Sequence, residues 1–521
     1  MFNPEQRYIS ARSPVAADNL VATSQPLATE AGLQALRNGG NALDAALAAA
    51  ITLTVVEPNN NGLGSDAFAL LWDGQQVVGL NASGRAPAAW LLDRFAGRKR
   101  MPELGWDSVT VPGAVSSWVA LSDRYGKLPF EALFESAIHY AKNGFLVGPK
   151  SAFYWQLLEG YYSDYPDWIA HFGPVPKAGE RFMRHDMVAS LEAIRDSKGE
   201  AFYRGELASA MVDASTRAEG GLALEDLANH TCDWVTPITQ SYRDVELLEI
   251  PPNAQGLAAQ IALGILSYLP LAELDSAALM HQQIEAMKIA VRAASQHFAD
   301  ARAMLVSPEQ LLEPGSLERA AKSIGYMAAL LPPVTLPVGE DTVYLTTADA
   351  NGMMVSFIQS NFKAFGSGIV IPGTGISMQN RGSAFSLDPA HPNCVGPGKR
   401  PFHTIIPGFV TRGGKPALSF GVMGGHMQHQ GHLQMVSRIF DFGQNPQEAS
   451  DAPRWHVYPD LKVGLEKGIP QAVFNDLRAR GHDVRYEHQE SVFGGAQLIQ
   501  SLSSGYVGGS DHRKEGYVGG F

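Results

Sequence analysis

The break at LPPVTLPVGE, residues 331–340, constrains this chain more than any other feature. Three prolines, each with a fixed φ and no backbone N–H, followed by Gly339, rule out a helix or an interior strand there and predict an extended, exposed linker. Directly after it, in DTVYLTTADANGMMVSFIQS, two runs of β-branched and aromatic residues flank Asp349-Ala350-Asn351-Gly352, a hairpin turn. Thr342 therefore opens a strand at the end of an accessible segment, which divides the chain into 1–341 and 342–521.

Upstream, PLATEAGLQALRNGG has helical periodicity, with Pro26 to open the helix and Gly39–Gly40 to close it. A second helix is predicted from Asn41 to about Val55. In PNNNGLGSDAFALLWDGQQVVGL a Gly/Asn-rich turn leads into alternating apolar residues, a gap at Asp73–Gly74 and another strand. From about Leu128 to Val291 the period is helical, as in AQGLAAQIALGILSYL and HQQIEAMKIAVRAASQHFADA. Beyond the linker, short strands and Gly/Pro turns prevail until a helix near Gln430 to Phe440. Helices outside and sheets inside predict a layered α+β sandwich.

With 521 residues, 45% of them hydrophobic, the chain can bury a large core without disulfide or metal staples. A formal charge of −12 argues against nucleic acid or an anionic membrane as partner, leaving a small molecule. Cys232 and Cys394 lie far apart and in no metal-ligand spacing. The N-terminal MFNPEQRYISARSP lacks the basic-then-apolar order of a secretory signal, and the apolar run from Ala42 to Val56 is too short to span a bilayer and contains Asp44. The expected location is cytoplasmic.

A threonine hydroxyl is a weak nucleophile unless a base sits beside it, and its own α-amine becomes that base once the chain is cut before it. The unperturbed α-amino pKa of about 7.7–8.0 suits proton transfer near neutrality. A Pro/Gly-rich linker ending at Asp341, followed by a strand at Thr342, is the layout such self-cleavage requires. DTVYLTTADANG, FGSGIVIPGTGISMQN, GPGKRP, FGVMGGH and NPQEASDAPRWH, in this order, resemble the small subunit of the γ-glutamyltranspeptidase family. The likeness continues upstream through QALRNGGNALDAALAAAITLTVVEP, NGLGSDAFAL, VPGAV, RYGKLPFEAL and PPNAQG.

The resemblance implies a four-layer αββα N-terminal-nucleophile fold. It implies a large subunit of 1–341 and a small one of 342–521 from one precursor, and no metal or organic cofactor. By position, Thr342 matches the nucleophile and Ser360 the hydroxyl that supports its amine. Gly424 and Gly425 match the pair whose N–H groups form the oxyanion hole, where the missing side chains let the backbone approach the reacting carbon.

The substrate-recognition positions depart from the family. Ser83 stands where transpeptidases carry the Arg that clamps a glutamyl α-carboxylate, and Arg85 lies two residues on. Ala384 replaces the acid that meets the α-amino group, and Arg381 replaces a Gln. His403 and Thr404 replace two serines, and Phe362 an Asn, which narrows the cavity. Losing the acid while gaining Arg and His points to a small anionic ligand without an α-ammonium. This resembles the oxamate amidohydrolase branch, which converts oxamate to oxalate and ammonia. The alternatives are a γ-glutamyl amide such as glutathione, with Arg85 or Arg381 standing in for the clamp, and a non-catalytic binding protein of the same fold.

HMQHQGH, with His426, His429 and His432, invites a metal reading. On a helix, successive three-residue steps rotate the imidazoles apart, and no neighbouring carboxylate completes a set. The run is instead expected to enter a helix from the oxyanion turn. These residues leave the oligomeric state open, a homo-oligomer included.

Overall fold

The computed structural model describes residues 12–336 and 341–521. The N-terminal segment and the last part of the linker, residues 337–340, lie outside the described residues. Fourteen strands form two seven-stranded sheets. In chain order they are β1 (Val15–Ala17), β2 (Leu20–Thr23), β3 (Asp66–Trp72), β4 (Val77–Asn81), β5 (Asp233–Val235), β6 (Ile238–Tyr242) and β7 (Val245–Glu249). After the linker come β8 (Asp341–Ala348), β9 (Met354–Phe362), β10 (Gly408–Arg412), β11 (Lys415–Met423), β12 (Gly495–Ser501), β13 (Tyr506–Ser510) and β14 (Tyr517–Gly520). One sheet runs β14-β2-β8-β9-β3-β4-β5 and the other β1-β13-β12-β11-β10-β7-β6, all pairs antiparallel. Both sheets mix strands from either side of the linker, so the two segments make one core.

The sheets face each other across a layer that includes Leu20, Phe68, Leu70, Tyr344, Ile358 and Phe409. Helices Pro26–Arg37 and Ala42–Val56 cover the outer face of the first sheet. Helices Gly256–Leu266 and Met427–Phe440 cover the second. This is the αββα sandwich that the sequence leads one to expect. Every residue of Ala42–Val56 is buried, which is why that run is apolar all round rather than on one stripe.

Local chemistry fixes this helix on the sheet. Asn41 and Asp44 form a reciprocal cap, and the Asp44 carboxylate also accepts the Lys127 and Leu128 N–H groups. The Asp349 carboxylate, in the β8–β9 turn, accepts the Ala42 N–H at 2.7 Å, so the hairpin carrying Thr342 is tied to the helix start. Asp44→Ala is expected to cost about 1–2 kcal/mol, the value of a lost cap, read as a lowered unfolding midpoint.

Two differences from the sequence reading have physical causes. The stretch from Leu128 to Val291 is not helical throughout: β5, β6 and β7 interrupt it. Their short runs, in DWVTPITQSYRDVELLEI, sit among strong helical patterns and are bounded by one proline and one tight turn. Thr342 is the second residue of its strand, not the first, because Asp341 already pairs with Phe362 across β8–β9. The register slips between Asp341 and Val343, leaving Thr342 at a bulge. Such irregularities re-aim a side chain next to the end of a ladder.

Candidate active site

Alternation along the strands decides which residues meet. On β8, Val343 and Leu345 turn to the helices while Tyr344 and Ala348 face the second sheet. On β9, Val355 and Phe357 face the helices, and Met354 and Ile358 the second sheet. On β3, Ala67 and Ala69 point outward and Phe68 and Leu70 inward. The period of two therefore puts Thr342, Ser360 and Asp66 on the inter-sheet side, at the end where the apolar layer gives way to polar groups. Ser360 pairs with Asp66 in the β9–β3 register.

There the Thr342 hydroxyl donates to Ser360 Oγ at 3.3 Å. Gln428 Nε2 donates to Thr342 Oγ1 at 3.5 Å, and its Oε1 accepts the Ile406 N–H at 3.0 Å. Ser360 Oγ also accepts the Phe362 N–H at 2.8 Å. Gln428 lies in the first turn of Met427–Phe440, three residues after Gly425, and so links the Gly–Gly turn to Thr342. Gly424 and Gly425 have φ of 113° and 57°, both in the region that disfavours a side chain. Their carbonyls accept from Met427 and Gln428 and so turn into the helix. A hydroxyl held in this way, next to a glycine turn, can attack a carbonyl whose oxygen settles against backbone N–H groups.

A second cluster adjoins the first. The Arg381 guanidinium lies 4.0 Å from the centre of the Phe362 ring, and Nη1 donates to Thr404 Oγ1 at 2.8 Å. Phe362 reaches this position from a backbone φ of 80°, a strained conformation for an aromatic residue. The Thr404 carbonyl and the Gly425 carbonyl, the latter at 2.9 Å, both accept from Gln255 Nε2. Gln255 is itself held by His429 Nδ1–H at 3.0 Å. Arg381 is fully buried, yet among the described residues Nε and Nη2 have no hydrogen-bond partner. Burial lowers its pKa to about 9, with nearby Asp66 opposing the shift, so it remains a cation at neutral pH. A fully buried guanidinium with one edge unpaired has the geometry and charge to receive an anion.

The other sequence-predicted residues sit differently. His403 Nδ1 accepts the Ile405 N–H, so Nε2 carries the proton that it donates to Asp66 Oδ2 at 3.1 Å. Burial, with Arg381 and Arg400 adding to it, holds His403 well below the ordinary imidazole pKa and hence neutral. Asp66 is pushed up to about 7 by burial, against the pull of Arg381 and the N–H groups of Gly84 and Gly113. Its Oδ2 serves His403, and Oδ1 accepts the Gly84 N–H at 3.0 Å. Ser83 is buried against Asn81 and Asn253. Arg85 is engaged by Asp233 at 3.4 Å and Asp300 at 3.5 Å, within an ion network that also takes in Arg302 and Arg400. Sequence reasoning missed Asp66, Gln428 and Gln255. Asp66 could have been found from the alternation in SDAFALL, which puts it on the face of Phe68.

The helix Met427–Phe440 separates its imidazoles as the rotation predicts: His429 turns to Gln255 and His432 to Glu249. Among the described residues, His281, Glu285 and His482 have metal-ligand spacing. The Lys288 ammonium lies 2.9 Å from Glu285 and 3.2 Å from His482 Nδ1, and the two imidazoles hydrogen-bond each other at 2.8 Å, so these groups already partner one another.

The profile of the family described as Gamma-glutamyltranspeptidase matches residues 28–521. The chain belongs to the γ-glutamyltranspeptidase family. It is 34% identical to the glutathione hydrolase-like YwrD proenzyme of Bacillus subtilis, over 97% of this chain and 99% of that protein. It is 32% identical to the oxamate amidohydrolase proenzyme of Klebsiella pneumoniae, over 98% and 99%. The crystal structure of cephalosporin acylase from Bacillus halodurans superimposes with a TM-score of 0.96 at 44% identity, covering 100% of this chain and 99% of that one. The γ-glutamyltranspeptidase family comprises N-terminal-nucleophile hydrolases and acylases acting on amide bonds, and this protein is a hydrolase of that kind. No helix among its described residues is long and apolar enough to cross a membrane.

Proposed function

We propose that the protein cuts itself between Asp341 and Thr342 and then hydrolyses a small amide whose acyl group carries a carboxylate, oxamate being the best candidate. The observation that carries the substrate class is the buried Nε–Nη2 edge of Arg381, unpaired among the described residues. That edge matches the two oxygens of a carboxylate. The acid nearest to it, Asp66, is already shared between His403 and backbone N–H groups, so it offers little to an α-ammonium.

In self-cleavage the Thr342 hydroxyl attacks the Asp341 carbonyl, the C–N bond breaks, and the resulting ester is hydrolysed to the Asp341 carboxylate and a free Thr342 amine. In turnover that amine takes the hydroxyl proton as Oγ attacks the substrate carbonyl. The N–H groups of Gly424 and Gly425 stabilise the oxyanion. The proton passes to the leaving amine, and water then releases the acid from the acyl-threonine. Ser360 and Gln428 position the nucleophile. Arg85 has its charge met by Asp233 and Asp300, so Arg381 is the residue that holds the substrate.

Arg381→Met, which keeps much of the volume and removes the charge, is expected to lower kcat/KM for oxamate by about 10- to 100-fold, the value of a lost charged hydrogen bond. Self-cleavage should persist. Rates for oxamate, longer carboxyacyl amides and glutathione, with ammonia and glutamate measured separately, test the reading. Glutathione turned over faster than oxamate would promote the γ-glutamyl alternative, which the likeness to the Bacillus subtilis protein favours.

A further inference from the structure

Gln255 is the residue before helix Gly256–Leu266, a position where Ser, Thr, Asn or Asp usually accepts the free N–H groups of the first turn. Its side chain does not cap the helix. It is buried instead between the two clusters of the site, 1% exposed, a costly place for an amide unless its polar atoms are paired. Nε2 donates one hydrogen to the Gly425 carbonyl at 2.9 Å and the other to the Thr404 carbonyl. Two carbonyls can only accept, so the amide is fixed with its NH2 group toward them, and Oε1 is left to accept from His429 Nδ1–H at 3.0 Å. Burial, with His426, His456 and His432 adding to it, holds His429 well below the ordinary imidazole pKa, so the ring is neutral and its single proton lies on Nδ1.

The groups at the far ends of these bonds need an outside hold. Gly424 and Gly425 have no side chains to pin their turn, and the Gly425 carbonyl also accepts the Gln428 N–H, but at 3.3 Å. Thr404 presents the hydroxyl that Arg381 Nη1 meets at 2.8 Å, and the Gln255 backbone N–H ties the same stretch by donating to the His403 carbonyl at 3.0 Å. We propose that Gln255 is a positioning residue that sets both halves of the site at once, and that His429 fixes the direction in which its amide points. One N–H sets the oxyanion turn through the Gly425 carbonyl, and the other sets the anion seat of Arg381 through Thr404. This rests on the roles given above to the Gly–Gly turn and to Arg381.

The test measures kcat and KM on processed protein, with whichever of oxamate, the longer carboxyacyl amides and glutathione is turned over fastest. Gln255→Met keeps much of the volume and removes the amide. It should lower kcat and raise KM, each by about tenfold, the value of a lost buried hydrogen bond. This double effect separates it from Gly425→Ala, expected mainly in kcat, and from Arg381→Met, expected mainly in KM. His429→Leu should move both constants the same way. His429→Asn, whose amide N–H stands where Nδ1–H stood, should restore both towards the unmodified protein, a rescue that a merely structural role for the ring does not predict. Gln255→Met with kcat and KM unchanged, or His429→Asn no better than His429→Leu, would overturn the proposal. Should Gln255→Met be recovered unfolded, the His429 pair decides alone. If Arg381→Met leaves KM unaltered for every amide, it is the carboxyacyl reading that fails, and kcat in Gln255→Met still decides the tie to the turn.

Discussion

Thr342→Ala is expected to remain a single uncut chain with no measurable turnover, whereas the unmodified protein yields fragments 1–341 and 342–521 that stay together. In the proposed mechanism the hydroxyl both breaks the Asp341–Thr342 bond and serves as the nucleophile that this break completes, so its removal should stop both events. The variant should still fold: Thr342 is buried at a bulge at the start of β8, and the loss of a hydroxyl and a methyl leaves the β8–β9 ladder in place. The fragments cannot separate easily, because β2 and β3 flank the β8–β9 pair in one sheet and β7 pairs with β10 in the other. Thr342→Ser keeps the hydroxyl and should still process. Intact mass decides the matter: a cut elsewhere, or a cut that persists in the alanine variant, removes Thr342 from the mechanism.

Much of the fold is legible because its signals are local. Pro26, Asn41 and the Asp349–Gly352 turn mark element ends through their own backbone preferences, and the structure has boundaries within a residue or so of them. The sheet order is not legible, since β8 pairs with β2 and β11 with β12 across long stretches of intervening chain. Strands β5 to β7 escaped notice for a related reason: short runs become strands only because a sheet edge is there to receive them.

At the site, the sequence points to residues with a distinctive type at a distinctive spacing, and misses those whose role depends on what faces them. Thr342, Ser360, Gly424 and Gly425 do converge, through Gln428. Arg381, Thr404 and Phe362 form a second cluster beside them. Arg85 and Arg381 look alike in sequence, as buriable cations near recognition positions. Only their surroundings separate them: Asp233 and Asp300 meet Arg85, while Nε and Nη2 of Arg381 meet nothing among the described residues. Gln428 was hidden in a histidine-rich run that drew attention to its imidazoles, and Gln255 in a PPNAQG motif whose value lay in its resemblance alone.

Gly425→Ala should cost about 100- to 1000-fold in turnover while the protein still folds, the loss associated with one oxyanion donor. The choice between the two glycines follows from their geometry. At Gly424 a Cβ would stand 2.8 Å from the Gly494 Cα, a backbone atom that cannot step aside, and the φ of 113° suits no side chain. Gly425, at φ 57°, is in the left-handed region that alanine enters for about 1–2 kcal/mol, which a protein of this size tolerates. The strain is relieved by a small rotation of the 424–425 peptide, and that rotation swings the N–H away from the developing oxyanion. Gln255 Nε2 holds the Gly425 carbonyl, in the next peptide unit, at 2.9 Å, so that side of the turn is fixed while the 424–425 peptide rotates. Processing is followed by mass, because the turn can assist the attack on Asp341 as well as on substrate. Turnover is then measured on processed protein alone and split into kcat and KM: a fall in kcat with KM little changed is the signature of a lost transition-state contact. If processed Gly425→Ala keeps the turnover of the unmodified protein, the Gly–Gly turn is only a route from β11 into its helix, and the oxyanion must be held elsewhere.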